Sequence, residues 1–400
     1  MVKYIWQNSS WPHFTWDERK LMDPLMEVHA NQGILEGQMI SMGFETHSEI
    51  TLSRFTSEIQ KSFEIEGENL SCYSLRSSIA RHLGLENIVL ASGEQLDKPR
   101  QKIDAIVQVV TDAVHNCDTP LTVDRLFGWH EKLFPPNASG MGVNNLYKIR
   151  VAQFRTDEEG PMRVVSGNSL DPTVHFEAPP AERIPSEMDS FIEWFNQKNP
   201  PMNSVLKSAL AHLYFVTLHP FEDGNGRLAR AVADMALCRG DNFGRTDVPD
   251  SFAGMPHFEN RLRTDHLFSM SAQLCKERKD YYRHLEEAQN QDSMDVTDWL
   301  LWYVGCMNRA VLSVLSELKK SLFRKSFWEY ADGFDLNVRQ KKILALLLDD
   351  FKGKLTSSKY AKICKCSQDT AGRDMEKLVQ ANILRKGDAG GRSTEYMLVK

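Results

Sequence analysis

The chain has 400 residues, 42% hydrophobic and 26% charged, more than one core usually organises, so two or three domains are expected. No apolar run approaches the roughly 18 residues of a spanning helix, and the start lacks the basic-then-apolar order of a secretory signal. Together with seven scattered cysteines this predicts a cytoplasmic protein without a membrane partner or a disulfide framework. The net charge is −6, yet residues 337–400 hold 14 Lys or Arg against seven Asp or Glu, so a basic tail follows an acidic body.

The first 85 residues open with Tyr4-Ile5-Trp6 and Trp11-Pro12-His13-Phe14-Thr15-Trp16, followed by helical periodicity from Glu18 to Met42. Aromatics carry the largest burial per residue, so this segment reads as an arm cemented onto a neighbouring domain. Apolar steps of three and four residues predict helices over Arg100–His115, Thr122–Leu133, Pro185–Asn196 and Ser204–Leu218. Between Tyr147 and Phe176 the rhythm changes: Lys148–Val151, Met162–Ser166 and Val174–Phe176 read as short strands around Gly, Asp and Pro turns, predicting a small hairpin in a helical domain. Helical pattern returns over Asn260–Glu287 and Val296–Phe323. In the tail, Arg339–Asp349, Ser357–Ile363 and Ser367–Val379 precede a Gly-rich segment at Gly387–Gly391, the order of a winged helix.

The stretch that carries chemistry is His219-Pro220-Phe221-Glu222-Asp223-Gly224-Asn225-Gly226-Arg227-Leu228-Ala229-Arg230. Pro220 disfavours helix at the residue before it, so the preceding helix should end near His219 and leave an imidazole able to accept a proton. Gly224 and Gly226 allow a turn whose amides converge at the start of the next helix, a seat for phosphate. Arg227 and Arg230, three residues apart, project over one side and suit further phosphate oxygens. Glu222 offers a hard oxygen to Mg²⁺, an ion that pairs one or two carboxylates with substrate phosphates and water. His212, one heptad before His219, reads as a core residue or a support for it.

This string resembles the signature of the Fic family. The resemblance implies a mainly α fold: a helical core with a β-hairpin flap. It also implies AMP transfer from Mg-ATP to a Ser, Thr or Tyr hydroxyl of a target protein. By resemblance His219 is the base and Glu222 the Mg²⁺ ligand, while Gly224, Asn225, Gly226, Arg227, Leu228 and Arg230 hold ATP. Val164-Val165-Ser166-Gly167 with Val174–Pro180 resembles the target-docking flap; a purely structural hairpin has the same pattern. Tyr281 and Tyr282 fit either an adenine pocket or a core. Upstream, Ser62-Phe63-Glu64-Ile65-Glu66-Gly67 resembles the inhibitory motif of self-restrained Fic proteins. There Ser62 and Glu66 share a helix face, Gly67 stops the helix, and Glu66 pairs with Arg230.

The expected organisation is an N-terminal helical arm over 1–95, a Fic core over 96–290, a connecting helix over 291–335 and a winged helix over 336–400. In the last, Ser367 caps a recognition helix from which Gln368, Thr370, Arg373 and Lys377 face a partner, either DNA or protein, a second copy of the chain included. Two other functions compete: a DNA-binding regulator that only senses nucleotide, which could lose His219 without harm, so that the complete motif favours the enzyme, and a hydrolase in which Glu66 directs water onto an AMP-modified target.

Overall fold

The computed structural model describes residues 3–41, 44–91, 93–135, 149–168, 171–197, 202–241, 267–349, 351, 353–387 and 394–399. The chain is mainly helical and divides into two compact units, residues 1–314 and 315–400. The first holds α1 (Glu18–Ser41), α2 (Phe44–Ile65), α3 (Cys72–Leu83), α4 (Glu86–Ala91), α5 (Gln101–His115) and α6 (Val123–Leu133). A hairpin of β1 (Arg163–Asn168) and β2 (Asp171–Glu177) follows. Then come α7 (Ile184–Asn196), α8 (Ser204–Leu218), α9 (Asn225–Asp241), α10 (Met270–Lys276), α11 (Arg278–Gln289) and the start of α12 (Thr297–Ala331).

The centre of this unit is α8. Only Lys207 among its residues reaches the surface, so the helix is buried around its circumference and its polar groups must find internal partners. Ser208 Oγ lies 3.0 Å from the Tyr303 hydroxyl and His212 Nε2 2.9 Å from that of Tyr281. Asn203 caps the first turn by accepting from the Val205 and Leu206 amides, and α9 packs along the helix. The aromatic start is a packing device, as expected. Tyr4 and Trp6 bury against Phe176 and Ala178 of the hairpin, while Trp11 and Phe14 meet Tyr214 of α8 edge-on.

Two expectations are corrected. The described part of Lys148–Val151, residues 149–151, is irregular rather than strand, because its neighbourhood donates elsewhere: the Arg150 amide to Glu222 Oε2 at 2.8 Å and the Ala152 amide to His130 Nδ1 at 3.1 Å. The helix expected over Asn260–Glu287 breaks at Glu277 into α10 and α11, and residues 260–266 lie outside the described ones.

In the second unit, α13 (Val338–Leu348), α14 (Ser357–Cys364) and α15 (Gln368–Gln380) precede β3 (Leu384–Lys386) and β4 (Tyr396–Leu398), which pair antiparallel. Asp374 organises the interior by accepting from Asn337 Nδ2, Arg339 Nε and the Tyr360 hydroxyl. Ser367 caps α15, accepting from the Thr370 amide at 3.2 Å. Gln368, Arg373 and Lys377 are exposed and Thr370 is half-buried. Of the expected Gly-rich turn, Gly387 is described and residues 388–391 are not. Among the described residues, no helix is long and apolar enough to cross a membrane.

Candidate active site

α8 ends at Leu218, and His219 is its cap in the left-handed region, φ 50° and ψ 56°. A non-glycine residue there costs about 1–2 kcal/mol, so the surroundings must impose it. They do so at three points. The His219 amide donates to the Phe215 carbonyl at 3.1 Å, the ring Nδ1 lies 3.1 Å from the Val216 carbonyl, and the His219 carbonyl accepts from Arg155 Nε at 2.7 Å. Because a carbonyl only accepts, Nδ1 carries the proton in the neutral ring and Nε2 keeps its lone pair. Burial, with the Arg155 charge adding to it, pulls the imidazole down to about 4 against the pull of the Val216 carbonyl. At neutral pH this is an uncharged base.

The loop after His219 is held rigid from below. Asn225 is buried, and its side chain both accepts from the Phe221 amide at 3.0 Å and donates to the Phe221 carbonyl at 2.7 Å. His130 stacks on Phe221 at 4.3 Å and its Nε2 lies 3.2 Å from the Asp223 carbonyl. Gly224, at φ +84°, has Phe134 so close that a Cβ would strike the ring. The Asn225 side chain is therefore spent on the loop, and its backbone opens α9. Asn225→Ala strands a buried amide and a buried carbonyl. It should lower unfolding free energy by about 2–4 kcal/mol in a denaturant titration, and a loss under 0.5 kcal/mol would remove this role.

At the start of α9 the two arginines meet the arm. Arg230 donates from Nε to Ser62 Oγ at 2.8 Å, and from Nη2 to the Ser62 carbonyl at 2.8 Å and to Glu66 Oε1 at 2.7 Å. Arg227 donates from Nη1 to Glu68 Oε1 at 2.6 Å and from Nη2 to Asp223 Oδ1 at 3.2 Å, with its guanidinium over the rings of Phe63 and Phe134. Among the described residues, Arg230 Nη1 and Arg227 Nε are buried without a hydrogen-bond partner. Glu66 Oε1 also lies too close to Gly226 for a Cβ there to be tolerated, so this carboxylate sits at the N-terminal turn of α9, where the helix dipole favours an anion. Burial opposes its ionisation, but the Arg230 charge and hydrogen bond, with Arg227 behind them, hold the carboxyl below its ordinary range.

The end of α2 explains how Glu66 reaches that point. The Gly67 amide donates to the Glu64 carbonyl and the Glu68 amide to that of Phe63, both at 3.0 Å, with Gly67 at φ +82°. This is a Schellman cap, and only its glycine takes the left-handed geometry without a Cβ penalty. It turns the Glu66 and Glu68 side chains toward the two arginines.

Other expected residues fall into different surroundings. Glu222 is half-buried and accepts from the Arg150 amide, and no group of three metal-type ligands occurs among the described residues. Such a donor set suits Mg²⁺ only when substrate phosphates complete the shell. Leu228 and Tyr281 are buried; the Tyr281 hydroxyl is engaged with His212, whose ring burial and the Arg230 charge pull down to about 3. Tyr282, 40% exposed, sits beside the end of α2, its hydroxyl 3.5 Å from the Ile65 carbonyl. In the hairpin, Val164, Val165 and Val174 are exposed, Ser166 Oγ lies 2.6 Å from His175 Nε2, and Gly167 takes φ +94°. Arg155 ties the hairpin's exit to the loop, donating to the Pro179 carbonyl with Nη2 while Nε holds His219. Arg155, Asn225 as a clamp and Glu68 as a partner of Arg227 were not anticipated. Only Glu68, two residues past Glu66, left a sequence signal.

The site thus joins a histidine in the left-handed region, whose Nε2 has no hydrogen-bond partner among the described residues, to a glycine loop that opens a helix carrying two arginines. Residues 120–237 match the Fic/DOC family, and the chain carries a Fic domain. Residues 4–85 match a family described as a domain of unknown function, DUF4172. A protein named protein adenylyltransferase Fic, from Nematostella vectensis, is 27% identical over 245 residues, 61% of this chain and 50% of that protein. A uridine 5'-monophosphate transferase from Xanthomonas campestris pv. campestris (strain 8004) is 30% identical over 130 residues, 30% of this chain and 21% of that protein. The chain spans half or less of the length of these curated relatives. A solved Fic family protein from Desulfovibrio desulfuricans G20 is 18% identical with a TM-score of 0.47, over 94% of this chain and 96% of that one.

Proposed function

We propose that this protein is a nucleotidyltransferase that moves AMP from Mg-ATP to a hydroxyl side chain of a target protein, restrained by its own Glu66. The observation that carries the reading is the convergence of three parts at one turn: a neutral His219 with Nε2 open, the α9 N-terminus, and Arg227 with Arg230. The target hydroxyl gives its proton to His219 Nε2 as its oxygen bonds to the α-phosphorus; the bond to the bridging oxygen breaks and pyrophosphate leaves with both electrons. The α9 amides and the arginines stabilise charge on the phosphates, and the orphaned Arg230 Nη1 and Arg227 Nε become donors to phosphate oxygen. Glu222 would hold Mg²⁺, which when bound supplies positive charge to the leaving group.

The exposed edge Val164–Gly167 presents backbone to an extended target segment, and Arg155 couples the base of that hairpin to His219. Glu66, seated where an anion is favoured and bound to Arg230, competes with the terminal phosphate. The curated relatives carry both adenylyl- and uridylyl-type names, so the donor is tested directly. ATP and UTP labelled at the α-phosphate are supplied separately to Glu66→Gly. Label retained on protein from ATP and not from UTP is the expected result; retention from UTP alone would replace AMP as the transferred group.

A further inference from the structure

We infer that Glu68 is a second brake, which holds Arg227 while Glu66 holds Arg230, so that the arm takes both phosphate-binding arginines together. The inference rests on the reading of the site as a nucleotidyltransferase and adds a residue that the Ser62–Gly67 motif does not contain. The Arg227–Glu68 and Arg230–Glu66 pairs have equivalent charge-assisted distances, 2.6 and 2.7 Å, but the first is better shielded from water: the Glu68 side chain is 12% exposed and the Glu66 side chain 31%. Shielding matters because exposed ion pairs contribute little, whereas a desolvated, hydrogen-bonded pair is hard to separate.

Two contacts bind Arg227 to the arm: Phe63 of α2 covers one face of its guanidinium and Glu68 takes Nη1. The other Glu68 oxygen, buried without a hydrogen bond among the described residues, lies 3.6 Å from Lys102 Nζ of α5. Among the described residues, the other carboxylate on this guanidinium is Asp223, which belongs to the loop itself and stays when the arm moves. The Schellman cap gives the two brakes one mechanical origin. Glu66 is the cap residue and Glu68 the residue after Gly67, so any movement that unwinds this turn releases both arginines at once. The arm thus acts as a two-carboxylate stand-in for the phosphates of a nucleotide.

The test uses the full chain with Glu68→Gln, which keeps the shape and a hydrogen-bond acceptor while removing the charge, alone and combined with Glu66→Gln. Two quantities are read: ATP affinity by calorimetry in a His219→Ala background, where nothing turns over, and transfer of α-labelled AMP with His219 intact. Glu68→Gln should bind ATP roughly tenfold more tightly than its parent, the factor that corresponds to about 1.4 kcal/mol. Glu66→Gln/Glu68→Gln should exceed Glu66→Gln in transfer by a similar factor. If Glu66→Gln is active and the double variant is equal or slower, with ATP affinity unchanged, Glu68 merely steadies Arg227 and the inference is overturned. If Glu66→Gln gains nothing while Glu68→Gln still tightens ATP binding, the Glu68 brake stands and the Glu66 reading falls. If neither variant changes either quantity, both fall.

Discussion

Glu66→Gly should raise AMP transfer by roughly ten- to a hundredfold over the wild-type chain. The buried guanidinium of Arg230 spends Nε and Nη2 on Ser62 and Glu66. A charge-assisted hydrogen bond in such a place is worth about 1.5–3 kcal/mol, and each 1.4 kcal/mol is a factor of ten. On the proposed reading, ATP entering the wild-type site meets that cost before its terminal phosphate reaches Arg230, or binds with the phosphates displaced. Removing the carboxylate lifts the cost and leaves Arg230 tied to the arm only through Ser62. Glycine at the cap position adds some local flexibility, so Glu66→Gln serves as the companion that removes charge alone. Measured as initial rates of label incorporation, an unchanged rate in both variants would remove Glu66 as a brake.

The second large effect is the loss of the base. In the Glu66→Gly background, His219→Ala should reduce transfer by roughly 10²–10⁴-fold, the range over which a positioned general base acts. The pH profile depends on the same base. A histidine drawn down to about 4 by burial is neutral through the whole range above pH 5, so the rate should be flat there and fall as acid protonates Nε2 near pH 4. An acid limb centred at the free histidine value of about 6.5 would mean that His219 is more solvated than its three anchors imply. Stability follows the same sign. His212 and His219 both have lowered values, so below about 6.5 the unfolded chain binds more protons than the folded one, and their contribution is present above that pH and lost as it falls.

The parts of the site legible in the sequence are those in which chemistry and chain order coincide. His219, Glu222, the two glycines and the two arginines lie within twelve residues, and the helix stop at His219 follows from local sterics at Pro220. Ser62, Glu66 and Gly67 were legible because a helix face and its cap have fixed spacing. What escaped depends on long-range packing. Nothing next to Arg155 announces that its side chain will bond the carbonyls of His219 and Pro179, 64 and 24 positions away. Asn225 is a hydrogen-bonding residue in any turn; its inward role appears only once Phe221 is buried. Residues 149–151 have the composition of a strand, yet the Arg150 donor is claimed by Glu222, a tertiary contact that propensity does not contain. Glu277 has ordinary helix propensity, and the break there accompanies its pairing with Arg309 at 2.6 Å.

The most direct test of the account is the label retained on protein after wild type, Glu66→Gly and Glu66→Gly/His219→Ala are each incubated with Mg²⁺ and ATP labelled at the α-phosphate. The account predicts little from wild type, strong labelling from Glu66→Gly and a return to background in the double variant. Labelling of the double variant equal to that of Glu66→Gly would contradict it, because the transfer would then proceed without the base on which the site is built.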